Sequence, residues 1–261
     1  MSEVDSDLSL LCDPLTHEAL QVTQAKELRG SVSGREVRFQ DGIPVMLQAA
    51  DVQGLNAKYQ KLYDRFALLY DVAIASFARL RSGGLEKRRR EYLKELEIRD
   101  GSRVLEVSVG TGQNLRFLPP TATYYGVDIS IGMLRRCRKN LKRWRRSAFL
   151  VQGAAERLPF VDAAFDSVLH MGGINFFSDK ATALREMVRV AKPGTKVVIV
   201  DETEKITRSF DRSPVAGVFY KDQHSAAAAP VDFLPSGVCE VSVKTIADGE
   251  LYCMTFRRSK P

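Results

Sequence analysis

A glycine-rich segment and an aspartate that follows it are the residues of this sequence best suited to bind a nucleotide-like ligand. The segment reads Glu106-Val107-Ser108-Val109-Gly110-Thr111-Gly112. Its small residues let the backbone approach a ligand closely, and a helix that begins there offers free N–H donors. Asp128 lies 16 residues beyond Gly112, where its carboxylate could accept both hydroxyls of a ribose. Alternatively, the glycine-rich segment is an ordinary strand-to-helix turn, and Asp128 is a helix N-cap.

One histidine is the best-placed candidate for acid–base chemistry. His170 is followed by Gly172-Gly173-Ile174-Asn175-Phe176-Phe177, an open turn with aromatic surface suited to a hydrophobic substrate. A purely structural histidine at a strand end is the alternative. No metal site is predicted, because the four cysteines contain no CxxC pair and lie too far apart in sequence to indicate a zinc site.

These residues need a framework of alternating strands and helices. Apolar runs predict strands at 103–109, 123–129, 148–152, 165–171 and 196–201, and helical patterns follow at 113–118, 131–146 and 180–191. This rhythm predicts an α/β fold with a doubly wound parallel sheet, whose ligand site lies at the carboxyl ends of the strands. Two further strand-like runs, 238–246 and 250–256, are joined through Asp248-Gly249. They add an antiparallel hairpin and give seven strands.

The sequence divides into three regions. We expect a small β module at 1–50, a helical lid or linker at 51–100, and a ligand-binding domain at 101–261. The 261 residues are 44% hydrophobic, which excludes a mainly disordered chain. The acidic N-terminus is unlike a targeting peptide, and no apolar stretch reaches the ~20 residues of a membrane span. These features predict a cytoplasmic protein.

A dense basic run is predicted on the helix after Asp128. Leu134, Cys137, Leu141 and Trp144 recur at helical spacing and predict its buried face, which leaves the charges outside. Such a face could attract RNA, an anionic membrane surface or an acidic partner, or it could simply be solvated. A nucleic-acid partner is not favoured, since no RNA-binding motif accompanies the run. The basic residues are Arg135, Arg136, Arg138, Lys139, Lys142, Arg143, Arg145 and Arg146.

Across residues 58–257 the sequence resembles the class I S-adenosylmethionine-dependent methyltransferases, particularly the ubiquinone/menaquinone-biosynthesis-like group (methyltransferase type 11). The resemblance rests on the order and spacing of several blocks. These are YDRFALLYD (63–71), VLEVSVGTG (104–112), GVDISIGML (126–134), GAAERLPF (153–160), FDSVLHMGGINFF (165–177), REMVRVAKPGTKVVIVDE (185–202) and the closing hairpin.

The resemblance implies a Rossmann-like fold and S-adenosyl-L-methionine as the cofactor. Glu106, Ser108, Gly110 and Gly112 would surround its methionine part, with Tyr70 near the amino-acid end. Asp128 would hold the ribose. The remaining implied contacts are Ile129 and Met133 on the adenine and the backbone N–H of Ala155 at its ring.

The implied activity is methylation of a small, hydrophobic or aromatic molecule, with His170 as the proposed base. Two alternatives remain: a catalytically silent cofactor-binding scaffold and an RNA methyltransferase that uses the basic helix. Ser108 stands where the family usually has its first glycine, and Ala154 replaces an aspartate. Both departures weaken the expected cofactor contacts and motivate the silent alternative.

The N-terminal region resembles the small zinc-ribbon-derived module of the Trm112 type. The residues that carry this resemblance are LLCDPLTHEALQV (10–22) and FQDGIPVML (39–47). Only Cys12 remains of the four cysteines expected there, so a module without zinc is predicted. His17 as a remaining ligand is the alternative, although a surface histidine is favoured.

Overall fold

The computed structural model describes residues 7–23, 28–34, 36–48, 51–54, 56–58, 60–62, 64, 84–205 and 228–260. Three α-helices are bounded within these residues: α1 (Gly84–Leu93), α2 (Ile131–Trp144) and α3 (Lys180–Val190). Short 3-10 helices span Lys94–Leu96, Ile174–Phe176, Val231–Phe233 and Ala247–Gly249. The described residues of 54–64 are also helical.

The strands form one sheet in the order β1-β2-β3-β4-β7-β6-β5-β8-β9-β11-β10. Their bounds are β1 Leu20–Val22, β2 Leu28–Gly30, β3 Glu36–Gln40, β4 Ile43–Val45, β5 Arg103–Val107, β6 Thr123–Asp128, β7 Phe149–Gln152, β8 Ser167–Met171, β9 Lys196–Glu202, β10 Val238–Ile246 and β11 Leu251–Arg258. Strands β7, β6, β5, β8 and β9 are parallel. The predicted hairpin is confirmed, and β11 lies between β9 and β10, antiparallel to both.

The central strands are apolar on both faces because the sheet is covered on both sides. In β9, residues Val197 to Val200 are fully buried, as expected for a parallel strand between two layers. One hydrophobic cluster includes Phe160, Phe165 and Met187, and the other includes Tyr92 and Leu134. The carboxyl ends of β5, β6, β8 and β9 are thereby held at one edge of the molecule.

Helix α2 is capped by hydrogen bonds at both ends. Ser130 is extended and its Oγ accepts a hydrogen bond from the Met133 N–H at 3.1 Å, so Ser130 is the N-cap of the helix. At the other end Arg145 adopts φ 54°, and its N–H donates to the carbonyls of Leu141 and Lys142. The cap places the first turn of α2 directly after Asp128.

The predicted helix at 113–118 is wrong, because these residues form a series of turns. Gly112 precedes the segment and Pro119-Pro120 follow it, which leaves six residues, too few for a helix to propagate. Leu115 and Leu118 are nevertheless buried. The segment therefore packs as a loop across the core.

The N-terminal strands β1 to β4 pair in sequence order as an antiparallel meander, within the region where a small β module is predicted. Strand β4 continues the main sheet, since Val45 pairs in parallel with Gln152 and the Met46 N–H donates to the Gln152 carbonyl at 2.8 Å. Within the described residues, no group of His, Cys, Asp and Glu could hold a metal ion. None of the helices described is long and apolar enough to cross a membrane.

Candidate functional site

The carboxyl ends of β5, β6, β8 and β9 surround a cavity of about 240 Å³. The residues predicted from the sequence that line it are Glu106, Ser108, Gly110, Asp128, Ile129, Met133 and Ala155. Gly112 and His170 do not line it. The predicted contact Tyr70 lies outside the described residues.

The turn after β5 has an unusual backbone at two positions. Gly110 adopts φ +53°, and a Cβ atom built on it would meet no atom within 4 Å. Ser108 adopts φ 58°, which serine tolerates less readily than glycine. The turn therefore leaves open space beside Gly110, while Ser108 holds a strained conformation at the cavity wall.

Asp128 is buried and bonded to the backbone on both sides. Its Oδ2 accepts a hydrogen bond from the Gly110 N–H at 2.8 Å, and its Oδ1 accepts one from the Ser130 N–H at 2.9 Å. Burial raises the pKa of Asp128 to about 6. Each carboxylate oxygen can accept a further bond. The side chain is thus fixed in place with capacity for two hydroxyl donors.

Glu106 is the second buried carboxylate of the cavity. Its Oε1 accepts a hydrogen bond from Asn114 Nδ2 at 2.5 Å. Its Oε2 has no partner among the residues described. Burial, together with the negative charge of Asp128, raises the pKa of Glu106 to about 7. A cationic ligand beside it would stabilise the ionised form.

Arg89 completes a buried polar network that the sequence analysis missed. It lines the cavity and donates to Tyr92 Oη at 3.1 Å and to Asn114 Oδ1. Its Nε has no partner in the described part of the chain. Arg89 lies within a run of four basic residues, Lys87 to Arg90. The sequence does hold one indication of its position. Arg89 precedes the apolar residues Tyr92 and Leu96 by three and seven positions, a spacing that places it on the buried side of the helix.

The opposite wall of the cavity is organised by Asp201 at the end of β9. Its Oδ1 accepts from the Gly173 N–H at 3.2 Å and its Oδ2 from the Ile174 N–H at 3.0 Å. Burial raises the pKa of this carboxyl. These bonds hold the turn after β8, so Phe176 and Phe177 line the cavity. The sequence predicted this aromatic turn but gave no role to Asp201.

His170, which the sequence analysis proposes as a base, does not line the cavity. The ring is fully buried, lies 3.1 Å through Nδ1 from the Val107 carbonyl, and packs 5.0 Å from the Phe177 ring. Burial lowers the pKa of His170 to about 4. Because the imidazole is buried and does not line the cavity, the geometry favours a structural role.

Gly112 has a packing role. A Cβ atom at this position would lie 2.6 Å from Cys137 Sγ on α2. Glycine is required there because the turn and the helix pack closely. The structure therefore separates Gly112, which supports the site, from Gly110, which borders the cavity.

Asp64 makes a contact that the sequence analysis also missed. Its Oδ1 accepts from Ser130 Oγ at 2.5 Å and from the Gly132 N–H at 2.9 Å. A carboxylate at the first turn of a helix satisfies free N–H groups and interacts favourably with the helix dipole. The helical segment at 54–64 is thereby attached to the start of α2, beside Asp128.

The arrangement suits a ligand with a cationic head, a pair of hydroxyls and a flat apolar ring. Glu106 offers negative charge, Asp128 offers two acceptor oxygens, and Ile129 and Met133 offer apolar surface. The open space beside Gly110 lets a ligand approach the backbone. S-adenosylmethionine carries each of these groups, so the residues present fit that cofactor.

Known proteins with similar sequences are methyltransferases. Residues 105–199 match the family described as Methyltransferase domain. The ubiquinone/menaquinone biosynthesis C-methyltransferase UbiE of Geobacter sulfurreducens is 36% identical over 141 residues, which cover 51% of this chain and 55% of the relative. The chain thus spans about half the length of the curated relatives it matches.

Solved structures show the same fold. A SAM-dependent methyltransferase from Thermotoga maritima has a TM-score of 0.60 and 23% identity, with 77% of this chain and 99% of that chain covered. The [4+2]-cyclase SpnF has a TM-score of 0.60 and 16% identity, with 79% and 97% covered. The fold alone therefore does not define the reaction. Together with the family match, the site identifies residues 105–199 as a class I S-adenosylmethionine-dependent methyltransferase domain related to the ubiquinone/menaquinone C-methyltransferases.

Proposed function

We propose that the chain transfers a methyl group from S-adenosylmethionine to a carbon atom of a small hydroxylated aromatic ring of the quinol type. One observation carries the proposal: the acidic wall with Glu106 and Asp128 and the aromatic wall with Phe176 and Phe177 border the same cavity. The UbiE relatives, named as C-methyltransferases of ubiquinone and menaquinone biosynthesis, support a quinol-type acceptor.

The cofactor side of the cavity would be held by this chain's own polar groups. Glu106 would face the amino-acid end of the cofactor, where Arg89 offers a guanidinium to its carboxylate. Asp128 would accept the ribose hydroxyls through the oxygens already fixed by Gly110 and Ser130. Ile129 and Met133 would pack on the adenine. When bound, S-adenosylmethionine supplies an electrophilic methyl group on a sulfonium centre.

The chain contributes to the transfer mainly by positioning and by excluding water. Phe176 and Phe177 would orient the ring of the acceptor, and Asp201 would hold the turn that carries them. Correct orientation supplies ~7–11 kcal/mol in favourable cases. As the new carbon–carbon bond forms and the sulfur–carbon bond breaks, the ring carbon must lose its proton. Glu202 lines the cavity next to Asp201, and we assign it as the acceptor of that proton.

The proposal is tested in two steps with the full chain. Calorimetric titration with S-adenosylmethionine and S-adenosylhomocysteine measures cofactor binding. Incubation with a reduced, short-chain demethylated naphthoquinone and methyl-labelled cofactor then measures transfer, and mass spectrometry locates the methyl group. We expect binding of both cofactor forms and a product methylated on ring carbon. Glu202→Gln should bind both cofactor forms normally and form product at least ~10²-fold more slowly.

A catalytically silent cofactor-binding protein is the second candidate. Ser108 favours it, because its φ of 58° places a strained side-chain-bearing residue at the cavity wall. Cofactor binding without methylation of quinols, phenols or extracted metabolites would support this candidate. Absence of cofactor binding would contradict both.

A further inference from the structure

The exposed side of α2 carries the excess positive charge of the chain. No Asp or Glu occurs between residues 131 and 146, which contain eight Lys and Arg residues. Removing those eight from the 39 basic residues leaves one fewer than the 32 acidic residues. The positive net charge of +7 is therefore carried by helix α2 and the two arginines that follow it, Arg145 and Arg146.

The first half of this surface is already engaged within the chain. Arg135 Nε pairs with Asp41 Oδ2 at 2.7 Å, and Arg138 donates to the Asp41 carbonyl. The second half differs. Its exposed cations Lys139, Lys142, Arg143 and Arg145, here called the α2 basic face, form no ion pair with any other described residue.

Aromatic side chains border the α2 basic face at the end of the helix. The guanidinium of Arg143 lies 5.5 Å and that of Arg116 lies 5.7 Å from the centre of the Trp144 ring. Arg116 also lies 5.4 Å from the Phe117 ring. Stacking of a nucleobase needs an uncovered ring face. Arg116 and Arg143 occupy cation–π positions at these rings, where a nucleobase would have to displace them. A partly buried Trp beside cations is typical of a surface that meets lipid headgroups.

We propose that the α2 basic face docks on the anionic headgroups of a lipid bilayer. Met133 in the first turn of α2 lines the cavity, and the α2 basic face lies on the second half of the same helix. Docking along the helix would therefore bring the site within roughly 20 Å of the membrane surface. The preference for a bilayer over RNA also rests on the proposed function, because a hydrophobic quinol dissolves in the bilayer. Electrostatic attraction without an inserted segment predicts reversible, salt-sensitive binding.

The test is co-sedimentation of the full chain with vesicles, without cofactor or acceptor. Phosphatidylcholine vesicles are compared with vesicles that also contain phosphatidylglycerol. The test variant is Lys139→Gln, Lys142→Gln, Arg143→Gln and Arg145→Gln combined. The control variant removes the same charge from exposed positions elsewhere, by Arg38→Gln, Arg99→Gln, Arg185→Gln and Lys260→Gln. Circular dichroism confirms that both variants are folded.

We expect the wild type to bind only the anionic vesicles and to be released as salt rises. Each cation at a membrane surface contributes about fivefold in affinity, so the test variant should lose on the order of a hundredfold or more. The control variant should lose much less. No binding by the wild type, equal binding to both vesicle types, or equal losses in the two variants would overturn the proposal.

RNA is the competing partner and is measured in the same assay. If tRNA releases the protein from anionic vesicles at physiological salt, and the test variant loses tRNA binding, the α2 basic face is a nucleic-acid site and the proposal is wrong. Turnover of a water-soluble short-chain quinol should be equal in the wild type and the test variant. In the wild type, normal turnover without vesicle binding overturns only the docking surface, and vesicle binding without turnover overturns only the proposed function.

Discussion

The backbone N–H of Gly110 and the Oδ2 of Asp128 are 2.8 Å apart, and this hydrogen bond joins the ends of two neighbouring strands. The glycine follows β5 and the aspartate is the last residue of β6. Because Asp128 also accepts from the Ser130 N–H, one carboxylate connects the glycine turn to the start of α2. The ligand site is therefore held together by the residue proposed to bind the ribose.

Asp128→Ala should reduce cofactor affinity far more than Asp162→Ala. The first substitution removes two charge-assisted bonds to a ligand, about 3 kcal/mol, or at least a hundredfold in Kd. Asp162 is an exposed partner of Arg189 and is remote from the cavity. Calorimetric titration of both variants with S-adenosylmethionine makes the comparison. Equal affinities in two folded variants would remove Asp128 from the site.

His170→Asn should lower the thermal stability of the protein without a direct effect on the chemical step. The buried ring has its pKa lowered to about 4, so the unfolded chain binds the proton below pH ~6.5 while the folded chain does not. This group therefore lowers stability as pH falls from about 6.5 to 4, and the variant lacks that contribution. Thermal melts at several pH values and turnover below the melting range are the measurements. A folded variant with ~10²-fold slower turnover would restore His170 as a base.

Cofactor affinity should fall as pH is lowered through the range of the buried acids. Burial raises the pKa of Glu106 to about 7 and that of Asp128 to about 6, and a cationic ligand binds their ionised forms more tightly. Titrations from about pH 8 to about pH 5, a range that spans both pKa values, should show progressively weaker cofactor binding. Glu106→Gln should bind more weakly at pH 8 and show a shallower dependence. An unchanged pH profile in this variant would contradict the assignment.

The same two carboxyl groups should make the ligand-free chain more stable as pH falls, whereas cofactor affinity should decrease. Their pKa values are higher in the folded state than the ordinary carboxyl range of about 4. Between those values the folded state binds more protons than the unfolded state, so the contribution of these groups to stability increases as pH falls. Thermal melts of the ligand-free wild type and Glu106→Gln at several pH values separate the contribution of Glu106 from that of His170.

The sequence predicted the strand ends and the start of α2 because their signals are local. Asp128 and Ser130 follow an apolar run, and the N-cap chemistry needs only neighbouring residues. Arg89 was missed because its partner Asn114 is 25 residues away, and a charge run conceals one inward-facing cation. The packing role of Gly112 could not be predicted for the same reason: the side chain that leaves no room for a Cβ atom there, Cys137, lies on a different element.

Asp64→Ala should weaken cofactor binding through the start of α2. The change removes the acceptor for Ser130 Oγ and the Gly132 N–H, a loss of about 1 kcal/mol of capping energy. Because Ser130 also donates to Asp128, we expect severalfold weaker binding. Asp64→Asn keeps an acceptor oxygen and should retain most of the affinity. Glu36→Ala, at an exposed ion pair with Arg29, is the control.

Ser108 provides the sharpest distinction between an active and a silent protein. Its φ of 58° costs roughly 1 kcal/mol or more for a residue with a Cβ atom. Ser108→Gly removes this strain, so we expect cofactor affinity at least equal to that of the wild type. Ser108→Val, with a β-branched side chain at positive φ, should lose stability and affinity. Calorimetric titration and thermal melts measure both effects. If Ser108→Gly bound the cofactor more weakly than the wild type, the serine would make a favourable contact of its own. Methyl transfer by Ser108→Gly but not by the wild type would show that the serine silences a site otherwise arranged for transfer.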